Sequence, residues 1–472
     1  MVFSSISFLF FFLPAVLAIY FLIPAKLRAA RNYALLLSSL FFYAFGGPQF
    51  IILLLFSAAV NYTCGLFAAT GRQPRTRKLA VILAAVLGLG LLGWFKYSGF
   101  LAETINRFGA GIPIPEVTLP LGISFFTFQG LSYVIDVYRG DAKAQKNPLK
   151  IALYISLFPA LISGPIVRYT TIENAIDSRQ ETLDDFSAGA VRFSFGFAKK
   201  LLLANVLGEI VDKVFGSAPG TLSALTTWVG AIAYTAQIYF DFSAYSDMAI
   251  GLCRMFGFRL LENFNYPYIA KSVAEFWRRW HISLSTWFRD YLYFPLGGSR
   301  VGRAKHIRNI VVVWLLTGLW HGAAWTFVVW GAFTCIILLC ERFVWGKALD
   351  RTPSALRHLY TMVFIIVVRV FFRSGSLLYA VQFIGVMFGT SGKLYDGQGV
   401  FFLAQYWPEL VTAIIASIPV KLMIEGFLEK KKTTPAVLLS FWGPKALALV
   451  LLAISYLKLV TGTFSPFIYF RF

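Results

Sequence analysis

Charge is scarce in this chain. Only 14% of its 472 residues are Asp, Glu, Lys or Arg, against roughly 25% in a soluble domain. An ordinary water-facing surface is thereby excluded. With 58% hydrophobic and 17% aromatic residues and a mean hydropathy of +0.69, the natural solvent for most of the surface is bilayer hydrocarbon. Cysteine is equally scarce. Cys64, Cys253, Cys335 and Cys340 form no CxxC pair, which argues against a disulfide scaffold and a zinc site. There are four histidines, and His306 and His358 show no ligand spacing, so no metal and no bound cofactor are expected. A Gly-x-Ser-x-Gly elbow is missing, and with it the usual signature of a covalent serine route. No internal repeat is visible. The first apolar run, 7–23, lacks a basic flank and a small-residue cleavage site, so it is expected to stay as a membrane helix.

Acids are half as frequent as bases, 22 against 43, for a net charge of +21. In a soluble protein this would suggest nucleic acid. Here the bases fall in short loops between apolar runs, where they set orientation and meet anionic headgroups. Membrane lipid, not nucleic acid, is the expected partner.

Apolar runs occur at 7–23, 33–45, 49–69, 79–101, 120–137, 151–167, 190–208, 224–250, 310–340, 359–390, 410–428 and 446–462. A crossing needs about 20 apolar residues. The pattern predicts one all-α transmembrane bundle over 1–472, with ten to twelve membrane segments, some re-entrant or broken. The basic loops 24–32, 70–78 and 138–150 read as cytoplasmic. Segments 102–119 and the acidic 168–189 read as external. Alternation then fails, because 251–309 holds ten Lys or Arg against three acids and must also be cytoplasmic. A re-entrant or non-crossing run is therefore expected between 189 and 251, and non-helical backbone at membrane depth implies a cavity. The run Glu429 to Lys432 reads as a solvated cytoplasmic end.

Two stretches carry candidate chemistry. In 275–291, Trp277, Trp280, Leu284, Trp287, Phe288 and Tyr291 recur at helical spacing. The stretch reads as an amphipathic helix at the headgroup plane. Its bland role is an interfacial anchor, but His281 lies beside the Trp face and can point inward. The second stretch runs from Val311 to Cys340 without Asp, Glu, Lys or Arg. As one helix it would be roughly 45 Å long, against a hydrocarbon core of about 30 Å. A break is expected at Gly318-Leu319-Trp320-His321-Gly322, with Trp320 and Trp325 walling a pocket. His321, ionisable inside a membrane run, is the leading candidate for function. Its bland alternative is a core histidine bonded to a carbonyl. A buried neutral imidazole can serve as a general base. Asp241 and Asp247, in a strongly aromatic run, should face a cavity or pair with bases, with structure the favoured role.

Several stretches resemble the membrane-bound O-acyltransferase family. They are LPLGISFFTFQGLSYVIDVYRG (119–140), FDFSAYSDMAIGL (240–252), NFNYPYIAKSVAEFWRRWHISLSTWFRDYLYFPLGG (263–298), GLWHGAAWTFVVWG (318–331) and PFIYFRF (466–472). The likeness is greatest to the bacterial branch that acetylates secreted polysaccharides such as alginate. The resemblance implies a helical bundle with a central tunnel and a cytoplasmic donor, acetyl-CoA. It also implies an SGNH-type periplasmic partner and residence in the bacterial inner membrane. The family's histidine falls on His321 and its second polar position on His281, which makes these the expected catalytic pair. Trp320, Trp280, Asp247, Arg278 and Arg279 form the expected substrate-binding set, with Arg300, Arg303, Lys305 and Arg308 as further phosphate contacts. Peptidoglycan and cellulose are the alternative polymers. A transporter or flippase is the alternative of another class, for which the usual inverted repeat is not found.

Overall fold

A computed structural model describes residues 1–431, 433–462 and 467. Lys432 and the terminal PFIYFRF stretch, Phe467 excepted, lie outside the described residues, as does the side chain of Glu429. Among the described residues all regular structure is helical. In hydrocarbon a helix satisfies its own backbone groups, so this is what an apolar chain must do. Among the described residues six helices are long and apolar enough to cross a membrane: Pro48–Ala68, Pro74–Asn106, Trp325–Phe343, Ser354–Arg373, Gly397–Ala416 and Thr434–Thr461. Phe8–Leu22 and Leu377–Met387 are shorter apolar helices. The remaining apolar runs form helices that are broken or hold buried polar groups. The chain is thus a multi-pass membrane protein.

The chain divides into two compact units. The first comprises Met1–Phe193 and Tyr245–Leu261. Its core helix is Ile123–Arg139, buried over most of its length. Neighbouring helix Ile51–Ala68 approaches it closely because two glycines leave room. A Cβ on Gly130 would lie 2.3 Å from the Asn61 amide nitrogen, and one on Gly65 would lie 2.5 Å from the Tyr133 ring.

Within this unit the run 151–167 does not form a spanning helix. It splits into Pro148–Ser156 and Phe158–Leu161, and nine helical residues reach only about 13 Å. Pro159 and the non-helical Leu157 (φ −52°, ψ 105°) make the break. The acidic segment 168–189 consequently stays with the basic loops. Glu181 pairs with Arg28 and, at 2.9 Å, with Arg31. Asp177 meets Lys150 at 2.5 Å. Asp185 meets Arg254 at 2.9 Å and Arg259 at 3.1 Å. This corrects the external placement read from charge alone. The acids pair with the bases of these loops and so lie on their side, not on the opposite face. Each solvent-exposed pair stabilises by only about 0–1 kcal/mol, so its information concerns sidedness more than stability. The same pairs bring Arg254 and Arg259, at the start of 251–309, to the side of 168–189.

The second unit comprises Ser194–Ala244 and Glu262–Phe472. The predicted break in the long apolar run is present. One helix, Arg303–His321, ends at extended Gly322 (φ −166°, ψ 153°), and the next, Trp325–Phe343, begins three residues later. Gly318 is not part of the break. It lies inside the first helix, where a Cβ would stand 2.5 Å from the Phe327 carbonyl oxygen, and a Cβ on Gly331 would stand 2.5 Å from that of Trp314. The hairpin helices touch backbone to backbone there, as small residues permit in membranes. The 275–291 stretch also departs from the single amphipathic helix expected. It forms Val273–Arg279 and Ile282–Phe288, followed by a π-turn at Arg289–Tyr293. His281 separates the two helices with left-handed backbone, φ +45° and ψ 54°.

The ion pairs fix a topology that labelling can read. Single cysteines replacing Ser178 and Lys26, both exposed, should react with a membrane-impermeant maleimide from the same face. Reaction from opposite faces would show that 151–167 crosses.

Candidate active site

The two histidines singled out above, forty positions apart, come together in the second unit with ring centroids 6.3 Å apart. His321 is the last residue of its helix and is 4% exposed. Its ring meets Trp320 at 5.1 Å, Trp330 at 5.2 Å and Phe372 at 5.1 Å, each edge to face. His281 is 1% exposed, with Phe242 at 4.6 Å and Trp320 at 5.6 Å. Trp320 therefore touches both imidazoles. The surroundings of the pair are aromatic, and an apolar wall strengthens any electrostatic interaction made inside it.

His281 is held at two costs. Left-handed backbone on a residue with a Cβ costs about 1–3 kcal/mol. Neither ring nitrogen has a hydrogen-bond partner among the described residues, and a buried orphan polar group costs about 1–3 kcal/mol. Local bonds hold the corner in place. The Asn263 carbonyl accepts from Ile282 N–H at 2.9 Å. Its side-chain oxygen accepts from Ser283 N–H at 3.2 Å and from the Ser283 hydroxyl at 2.8 Å. Burial also keeps the His281 pKa well below the ordinary histidine value, so the ring is neutral at pH 7 and offers one N–H donor and one acceptor. Trp280, expected to bind substrate, is packed instead. It is 3% exposed, stacks on Phe276 at 5.5 Å, and carries the Arg369 guanidinium over its face at 4.2 Å. Arg369 donates to the Thr235 carbonyl at 3.0 Å and to the Tyr268 hydroxyl.

A cavity of about 480 Å³ opens in the same unit, with Arg278, His306, Trp314, Glu341, Arg342 and Arg357 among its lining residues. Of its cations, Arg357 pairs with Asp350 at 3.4 Å. Arg278 and Arg342 make no ion pair among the described residues, although Glu275, Glu341 and Asp350 line the same cavity and the Arg278 charge helps to lower the Glu275 pKa. Arg279, expected to share the work of Arg278, is occupied. It pairs with Glu275 at 2.9 Å and donates to the Asn265 carbonyl. The basic residues Arg300, Arg303, Lys305 and Arg308 do not line this cavity; Arg308 is bonded to Asn309 and Arg303 sits over Phe343. A relay of indoles connects the cavity to the histidines. Trp314, in its wall, is 4.8 Å from Trp277; Trp277 is 5.5 Å from Trp330, which contacts His321. A second hollow of about 490 Å³, among Leu356, Leu359, Val363 and Phe388, is a shallow apolar groove on the outer surface and offers no comparable chemistry.

Other expected residues are distributed differently. Asp247 belongs to the first unit and pairs there with Arg192 at 2.9 Å. Asp241 pairs with Lys200 at 2.6 Å, both side chains nearly inaccessible; Lys200 is carried by a π-turn, Lys199–Ala204. Both acids thus meet bases, as their burial required. Trp325 is 40% exposed and does not wall the site; Trp330, one and a half turns further along the helix, does. Trp330 and Phe372 carry no distinguishing sequence signal. Arg342 and Glu341, by contrast, follow the uncharged run directly and could have been noticed as charges at a helix end.

Comparison with known proteins gives a consistent picture. Residues 142–381 match the sequence model of MBOAT, the membrane-bound O-acyltransferase family. The chain is 40% identical to a protein of Azotobacter vinelandii named probable alginate O-acetylase AlgI, with both chains covered in full. It is 44% identical to the protein of that name from Pseudomonas aeruginosa, over 82% of this chain and 75% of the relative. It is 32% identical to the peptidoglycan O-acetyltransferase of Helicobacter pylori, over all of this chain and 98% of the relative.

The lowered His281 pKa has a stability consequence. The folded ring binds its proton less readily than the unfolded one, so unfolding takes up a proton once the pH falls below about 6.5. Stability is lost from there downwards until the folded value is reached, and is unaffected by this ring above that range. Between pH 6.5 and 5.0 the loss is about 2 kcal/mol. In His281→Asn, whose side chain tolerates left-handed backbone, that part of the pH dependence should vanish. Thermal unfolding of the detergent-solubilised protein at pH 7.5 and 5.0 measures it. Equal acid sensitivity in the two proteins would contradict the assignment.

Proposed function

The chain belongs to the membrane-bound O-acyltransferase family, and on that premise we propose that it is an O-acetyltransferase of the bacterial inner membrane. In this reading it passes acetyl groups from a cytoplasmic thioester donor to the periplasmic side for O-acetylation of a secreted polysaccharide, alginate. The single observation that carries the reading is the approach of two buried imidazoles, His321 and His281, in aromatic surroundings.

Acyl transfer to a hydroxyl needs a base for the hydroxyl proton and a donor for the carbonyl oxygen as it gains charge. His321 takes the proton as the acceptor oxygen attacks the thioester carbonyl carbon. The carbon–sulfur bond then breaks, and the proton returns from His321 to the departing thiolate, leaving an acetyl ester and a free thiol. The His281 N–H, which has no other partner, is suited to stabilise the developing oxyanion, a contribution typically of about 2.7–4 kcal/mol. Trp320, in contact with both rings, orients the reacting groups. Arg278 and Arg342 suit the phosphates of acetyl-CoA, since guanidinium forms strong paired bonds to phosphate oxygens. Trp314 and Trp277 stand between that cavity and His321, so the acetyl end of the donor passes along them. A tunnel between the two membrane faces then lets the acetyl group reach an SGNH-type periplasmic partner, which modifies the polymer. Alginate is preferred over peptidoglycan because the relatives named for alginate are the more similar along the full chain.

Replacing His321 by Ala should reduce acetyl transfer from labelled acetyl-CoA by at least about 100-fold, the usual worth of a general base. The variant should still accumulate in the membrane, because His321 is the last residue of its helix and the helix needs no side chain there to form. Undiminished transfer would remove His321 from the reaction. An intact protein that transfers no label at all, yet moves an unmodified solute, would favour the transporter.

A further inference from the structure

We propose that Glu341 is a positioning residue that sets the separation of the two imidazoles. It projects from the spanning helix Trp325–Phe343 and is 9% exposed. An ionisable side chain in such a helix is costly and is retained where it has work to do. Here the carboxylate grips the backbone of a different element. One oxygen accepts from Val273 N–H at 2.7 Å and the other from Ala274 N–H at 2.9 Å. The first amides of a helix have no partner within it. Glu341 takes two of them, and the Ser272 hydroxyl takes the third, from Glu275 N–H, at 3.0 Å.

The grip matters because of what it joins. The helix that begins at Val273 is only seven residues long, and the chain reaches His281 two positions after it ends. On the other side, Glu341 belongs to the helix locked against the His321 helix at Gly318 and Gly331. A continuous path therefore runs from His321 through the glycine crossing to Glu341, across two charge-assisted bonds, and along the short helix to His281. With its left-handed backbone and unpartnered ring, His281 has little of its own to hold it. Fixing the start of its segment from the His321 hairpin makes the distance between the rings a property of the scaffold. Glu341 also lines the cavity that holds Arg278 and Arg342, but its oxygens are already committed to the two amides.

The kinetic half of the test rests on the acetyltransferase reading; the chemical half does not. Glu341→Gln keeps the shape but leaves one acceptor for two amide donors. In the full-length protein in membranes, modification of His281 by diethyl pyrocarbonate, followed by peptide mass spectrometry, should accelerate about tenfold as the corner loosens. His306, buried at the start of the His321 helix, should react at the wild-type rate. Acetylation kcat should fall at least about tenfold, as misplacement of catalytic groups does, with the donor KM little changed. Glu341→Asp, which keeps the charge on a shorter arm, should lie between the two in both measurements. An unchanged His281 rate, or an equal rise at His306, overturns the proposal. Absence of acetylation in the wild type would count against the enzymatic reading, and the modification rates would still decide the role of Glu341.

Discussion

A hydrocarbon surround supplies no hydrogen bonds, so every polar group within it must be answered by another part of the protein. That constraint accounts for most of what the chain does with its few charges. Asp241 finds Lys200, Asp247 finds Arg192, and Glu341 finds two backbone amides. Arg369 is answered by a carbonyl, a tyrosine hydroxyl and the face of Trp280. Within the described residues some buried groups go unanswered, the Tyr43 hydroxyl and the Trp277 indole N–H among them, and His281 does so with both of its ring nitrogens. A buried group left without a partner at a strained corner is what a site looks like before its ligand arrives.

Aromatic residues do at the site what polar networks do elsewhere. Trp320, Trp330, Phe372 and Phe242 fix both imidazoles by edge-to-face and tilted contacts. At His281 such contacts position the ring without spending its nitrogens on bonds to the described residues, and an oxyanion donor needs its N–H free for the carbonyl oxygen. The same logic separates the two neighbouring arginines. Arg279 is consumed by Glu275 within its own helix, while Arg278 emerges into the cavity beside Arg342 and remains available for an anion.

Much of this was legible in the sequence, and the rest failed for identifiable reasons. The helix break and His321 are legible because a 30-residue uncharged run is too long to cross as one helix and holds one histidine. His281 was located beside an aromatic face, yet the break at that residue was invisible. It depends on Asn263 and Glu341, 18 residues before and 60 residues after it, and helical periodicity continues straight through it. Loop charge counted without its partners puts segment 168–189 on the wrong side, because its acids pair with the bases of the loops it was to oppose. Trp325 and Trp330 are indistinguishable by composition, and only the direction of the second hairpin helix selects between them.

The central claim is that acetyl passes at the two imidazoles. A cryo-electron microscopy structure of the protein with a non-transferable thioether analogue of acetyl-CoA tests it most directly. The account places the analogue's phosphates at Arg278 and Arg342, with its carbonyl oxygen within hydrogen-bond reach of His281 and its carbonyl carbon beside His321. An analogue seated in a different part of the protein, with both imidazoles still enclosed by their aromatic neighbours, would contradict it.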